Sequence, residues 1–238
     1  MERADVHPSA IVSTGAVLAA GVRIGPFAVI GAATIGAGTV VHPHVVIADG
    51  VEIGANAEIF PGAFVGKEPK GAGATARTPE FERVVRIGDE CSIGPHAIVY
   101  YDVTIGARTL IGDGASIREQ CRIGSRCIIS RYVSINYNTR VGDDVKVMDG
   151  THLTGNMIVG DDAFVSALVV TLNDNVIRAG FGDHIVGPVI EPGAIIGGGA
   201  TLMPGVVVGA GATVAAAAVV TRSVAAGTRV AGVPARAF

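Results

Sequence analysis

Three residues in the middle of the chain could carry proton chemistry: Glu119, Asn138 and His152. A carboxylate such as Glu119 can take a proton or anchor an amine, and an imidazole such as His152 can act as a general base. Glu119 follows Ile117 by two residues and is expected on an outward corner. His152 precedes Leu153 and is expected to project from a face, where it could serve a neighbouring subunit. Asn138 would add an amide to the same polar stripe. The plain alternatives stay open: a solvated turn carboxylate, a stacked asparagine ladder and an ordinary surface histidine. A zinc site built on histidines alone would need three converging imidazoles. The histidines are His7, His42, His44, His96, His152 and His184, and their spacing offers no such set, so no metal is expected.

A repeat must position these groups. Aliphatic residues recur every six positions from Val6 to Val65, with one step of five between Ile30 and Ile35. The pattern resumes from Ile87 to Val165 and again from Ile190 to Val220. It covers 31 positions, all Val, Ile or Leu. Four residues after each aliphatic stands a small residue, mostly Ala, Val or Thr; Met157 is the bulky departure. Cys91, Cys121 and Cys127 occupy that slot and are expected to be core thiols. Gly often follows the aliphatic, as at Gly25, Gly36 and Gly54, where it is expected to permit a corner φ. A helix or a paired antiparallel strand has no six-residue period. A triangular coil with three short strands and 18 residues per turn does. The reading is therefore an all-β parallel β-helix of about ten coils, forming one domain over 1–238.

Composition agrees. Hydrophobic residues make up 49% but aromatics only 5%, with 34 Gly and no Trp, which suits thin layers of small aliphatics. Net charge is −3 without a basic run, so a nucleic-acid partner is not expected. No signal peptide or membrane-spanning stretch is legible, and a cytoplasmic location is expected.

Two segments interrupt the register, at about 66–84 and 172–189. The first carries Lys67; the second carries Asn173, Asp174 and His184. Loops that leave a regular solenoid are often functional, and these are read as walls of a cleft between neighbouring subunits, with tolerated surface insertion as the alternative. Outward apolar residues such as Val29, Ile98, Val99-Tyr100-Tyr101 and Val207 predict faces that need covering. Parallel packing about a threefold axis would cover them, so a homotrimer is expected.

The pattern of aliphatic, Gly, two variable residues, a small residue and one more resembles the left-handed β-helix hexapeptide family. That family includes acyltransferases, γ-class carbonic anhydrases and structural subunits. The tail Val219-Val220-Thr221-Arg222 leading to Gly232-Val233-Pro234-Ala235-Arg236 is similar to the C-terminal signature of its acetyltransferases. The resemblance implies acetyl-CoA as acyl donor. Coil backbone near Gly198 and Ala216 would meet the pantetheine, and Arg222, Arg229 and Arg236 the phosphates.

The first half, with His7-Pro8-Ser9-Ala10-Ile11, Ile24-Gly25-Pro26-Phe27 and Cys121-Arg122-Ile123-Gly124-Ser125-Arg126-Cys127, is similar to the lipid A pathway UDP-N-acetylglucosamine O-acyltransferases. Glu119 stands where that family has its catalytic histidine. The second half, with Asp161-Asp162-Ala163-Phe164-Val165 leading to Thr171-Leu172-Asn173-Asp174, resembles nucleotide-linked amino-sugar N-acetyltransferases. The implied activity is direct N-acetyl transfer to an amino-sugar nucleotide, with Lys67, Asn156, Asn173, Asp174 and His184 near the substrate. O-acyl transfer and a non-catalytic structural coil are the alternatives.

Overall fold

The computed structural model describes residues 3–71, 78–174 and 185–238. Thirty-four short strands form three sheets of 13, 11 and 10 strands. We label them A, B and C; they begin with Asp5–Val6, Ile11–Val12 and Val17–Leu18. Up to Val219–Val220 the chain visits A, B and C in turn, and each strand pairs in parallel with the strand one coil away. At about 4.8 Å per step the twelve steps of sheet A span roughly 58 Å. All 31 periodic aliphatics fall within strands, and every one from Ile24 onward is buried. Val6 is 38% exposed because its coil is stacked on one side only.

Three further strands escape the aliphatic rule. Val170–Thr171 keeps the register with a threonine inside, satisfied because Thr171 Oγ1 donates to His152 O at 3.0 Å and accepts from Thr154 N at 2.8 Å. The tail adds Arg229–Ala231 in parallel to sheet A, then turns back antiparallel through Arg236–Ala237.

The small inward slot does more than avoid crowding. Thr39, Thr109, Thr139 and Thr151 each donate Oγ1 to the carbonyl fifteen residues later. Cys91, Cys121 and Cys127 make the same contact through Sγ, each at 3.1 Å. The three thiols are therefore buried fillers that also satisfy a carbonyl. Burial pushes all three up, Cys121 to about 12.

The corner glycines act differently from expectation. Gly66 at the exit of the first loop apart, the residue after the aliphatic is not the one with positive φ. That conformation falls two residues later, at positions including Phe27, Asn56, Asn138 and Asn156. Glycine is needed after the aliphatic because the next coil lies against it: a Cβ on Gly36 would sit 2.4 Å from the carbonyl carbon of Gly54.

Candidate active site

The irregularities of the coil share one edge. Both loops leave a strand of sheet B and re-enter at sheet C: Phe64–Lys67 to Val85–Ile87, and Val170–Thr171 to Val189–Ile190. Ladder partners normally 18 residues apart, such as Asp5 and Arg23, become Val51 and Val85 across the first loop and Ile158 and Val189 across the second. The shortened step from Ile30 to Ile35 lies at this edge too. Five ladder steps, roughly 24 Å, separate the two exits. Between them the edge stacks Tyr101, Glu119, Tyr137, Gly155 and Asn173, each two residues beyond the inward residue of its strand.

Glu119 belongs to this column, but it is not a solvated outward corner. Its side chain is 0% exposed and is gripped by Arg118, with Nε to Oε2 at 2.8 Å and Nη2 to Oε1 at 3.1 Å. Its neighbours in the column are Tyr101, itself buried, and Tyr137. A carboxylate enclosed this way needs a paired cation to offset its lost hydration. Arg118 also lies over the Tyr100 ring at 5.1 Å, and Lys67 Nζ lies 4.3 Å from the same ring centroid. Lys67, Tyr100, Arg118 and Glu119 thus form one cluster at the root of the first loop. Arg118 and Tyr137 carry no signal in the sequence, and Tyr100 reads there only as an outward ring, because a repeat marks what points inward and is silent about what meets at a corner.

Asn138 is one step along, exposed, with φ 52°. Its Nδ2 donates to Asn156 Oδ1 at 2.9 Å, and Asn156 Nδ2 donates to Ile185 O at 3.0 Å. Asn173 Nδ2 donates to Gly155 O at 3.1 Å. These amides form an asparagine ladder that pins the return of the second loop to the edge. Asp174 is half-buried just beyond Asn173. His184 lies outside the described residues.

His152 stands on sheet B, facing outward between Ser134 and Val170 in the ladder. Its Nδ1 lies 2.8 Å from Ser134 Oγ. Burial lowers its pKa from the ordinary value, so the ring is neutral at pH 7. The outward column of sheet B is otherwise mostly apolar: Ile11, Val29, Val46, Phe64 and Ile98 precede Ser116, Ser134 and His152, and Val170 follows. Ile11 at 67% exposed and Val170 at 42% leave this face uncovered in the single chain. Val99 and Tyr101, expected among the outward residues, are both buried: Val99 is core, and Tyr101 lies at the edge with its ring stacked on Phe81 and its hydroxyl donating to Asp49 O at 2.9 Å.

The residues expected to meet an acyl donor fall in separate places. Gly198 and Ala216 lie on the A–B edge, where Ala217 N donates to Gly198 O at 2.9 Å. Arg229 and Arg236 are exposed on the two last strands of sheet A. Arg222 is exposed on the B–C side of the last coil, apart from both. Sheet B therefore lies between the edge bearing Gly198 and Ala216 and the edge bearing Glu119 and Asn138. The paired histidines are occupied locally: His42 Nε2 lies 2.8 Å from Glu58 Oε1 and its ring stacks on Phe60, while His44 stacks on Phe27.

Residues 32–67, 84–119 and 102–136 match the family model described as bacterial transferase hexapeptide (six repeats). These segments carry the six-residue repeat of that model, and the coil they belong to is a parallel β-helix. No curated protein matches the sequence. Among solved structures, the UDP-N-acetylglucosamine acyltransferase of Arabidopsis superposes with a TM-score of 0.58 at 19% identity, covering 98% of this chain and 73% of that one. The UDP-N-acetylglucosamine O-acyltransferase of Moraxella catarrhalis gives 0.50 at 23%, with the same coverage of each chain. At these identities the likeness is one of fold. Among the described residues no helix is long and apolar enough to cross a membrane.

Proposed function

We propose that this hexapeptide-repeat β-helix is an acyl-CoA-dependent acyltransferase that moves an acetyl group directly to the amine of an amino-sugar nucleotide. The observation that carries the reading is His152: a neutral, half-buried imidazole, hydrogen-bonded to Ser134 on an apolar face, beside the edge where both loops emerge. A base must be unprotonated at working pH and near a water-poor surface to remove an acceptor proton efficiently. His152 meets both conditions. Glu119 is enclosed and paired with Arg118, so its part in the reading is to hold the first-loop cluster in place.

The apolar column of sheet B supports packing of three copies about a threefold axis in the cytoplasm. The donor would lie toward the C-terminal coils, along Gly198 and Ala216 with Arg222, Arg229 or Arg236 on its phosphates. The acceptor would lie along the B–C edge, near Lys67, Asn138, Asn156, Asn173, Asp174 and His184. No metal enters this scheme.

One observation favours a second reading, O-acyl transfer. A hydroxyl needs a base more than a neutral amine does, and His152 supplies one. The test is thiol release from acetyl-CoA across a panel of amino-sugar and hydroxyl-bearing nucleotide sugars, with calorimetric binding of acetyl-CoA alongside. Release with an amine acceptor supports the first reading and release only with a hydroxyl acceptor the second. If acetyl-CoA neither binds nor releases thiol with any acceptor, the coil is a structural one and the transferase reading fails.

A further inference from the structure

We propose that Ser134 is a positioning residue that holds His152 in the tautomer with its proton on Nδ1, leaving Nε2 as the proton acceptor; this rests on reading His152 as the base. A neutral imidazole has one N–H and one lone pair. The 2.8 Å contact occupies Nδ1 with Ser134 Oγ, a hydroxyl that can accept from Nδ1–H or donate to an Nδ1 lone pair; a base at Nε2 requires the first arrangement, with Nδ1–H donating to Oγ. The geometry comes from the coil itself. Ser134 and His152 are ladder partners, so stacking places both outward side chains in line, and the hydrogen bond fixes the ring across them.

The setting isolates the pair. Ser134 and Val170 flank His152 in the column, with Ser116 and Thr201 one step further out, and none of these is charged. On the adjoining edges, Asp149 of the same coil is engaged by Arg131 at 2.7 Å and Glu119, two coils away, by Arg118. The hydrogen bond that orients the ring is made to a neutral hydroxyl. During transfer, Nε2 takes the acceptor proton as the new bond to the acyl carbon forms. The C–S bond breaks, and the same proton passes from Nε2 to the departing thiolate.

Long-range 1H–15N correlation on 15N-histidine-labelled protein reads the tautomer without any ligand. The wild type should show His152 protonated on Nδ1, titrating below about 6.5. Ser134→Ala should mix the two tautomers, and Ser134→Thr, which keeps the hydroxyl, should restore the first. With acetyl-CoA and the acceptor found in the thiol-release screen, Ser134→Ala should lower kcat about 2- to 10-fold, the range for losing one neutral hydrogen bond, with KM little changed. A wild-type ring protonated on Nε2, or a Ser134→Ala tautomer identical to wild type, overturns the positioning role. Full turnover in His152→Gln overturns the base on which it rests, whatever the spectrum shows. The two failures are thereby distinguished.

Discussion

Replacing Arg118 with Met should take the paired cation from the Glu119 carboxylate. The guanidinium makes two charge-assisted hydrogen bonds to a side chain with no exposed surface. Removing one partner of a buried pair costs about 3–5 kcal/mol, because the remaining charge stays desolvated. Loss of the contact with Tyr100 adds about 0.5–1 kcal/mol. The double variant Arg118→Met with Glu119→Met replaces the pair by apolar groups and should be near neutral, or more stable than wild type by about 1–4 kcal/mol. The coupling between the two sites should then be about 3 kcal/mol or more. Protonation can relieve the buried carboxylate, so the cost of Arg118→Met should be smaller at pH 5 than at pH 8. Urea unfolding at fixed protein concentration gives the global value. Hydrogen exchange of the amides in Ile98–Tyr100, Ser116–Ile117 and Ser134–Ile135 detects a local opening, which a stack of coils permits. A cost under about 1 kcal/mol for the single variant, or strict additivity in the double, would refute Arg118 as the cation that makes this burial tolerable.

Three further outcomes are expected. His152→Gln should remove a pH-dependent loss of stability. Burial depresses the folded pKa, so the unfolded chain binds the proton more readily, and wild-type stability falls as pH drops below about 6.5. Urea midpoints at pH 8 and 5.5 should diverge less in the variant, and an unchanged difference would sink the assignment. Asp at Val29 or Lys at Val170 should break the assembly proposed for sheet B. Sedimentation velocity would show a lighter species, and an unaltered mass would mean that another face is used. The thiols of Cys91, Cys121 and Cys127 should resist Ellman's reagent at pH 8 until the chain is unfolded. Reaction of native protein would show that the coil opens locally there.

Much of the fold is legible in the chain because a six-residue period has one satisfactory solution. Each turn must repeat the same inward residues, so the 31 aliphatics, the small slot and the two loops announce themselves. The cysteines read correctly for the same reason. The strand Val170–Thr171 was harder to see, since its inward residue is a threonine satisfied by partners from another coil. The role of the corner glycines was misread because close approach of the next coil and a permissive φ both select glycine.

The candidate site divides along the same line. The sequence by itself determined which residues point in and which point out on the strands, and so placed His152 on a face. Only the tertiary structure decided what happens at corners and between coils. It buried Glu119 beside Arg118, joined Asn138 to Asn156, and put Ser134 on His152. It also set both loops on one edge while separating Arg222 from Arg229 and Arg236. The physical reason is that inward packing is enforced turn by turn through the hydrophobic effect. Polar contacts depend on which side chains stack in neighbouring coils, and a six-residue pattern of aliphatics carries no record of that.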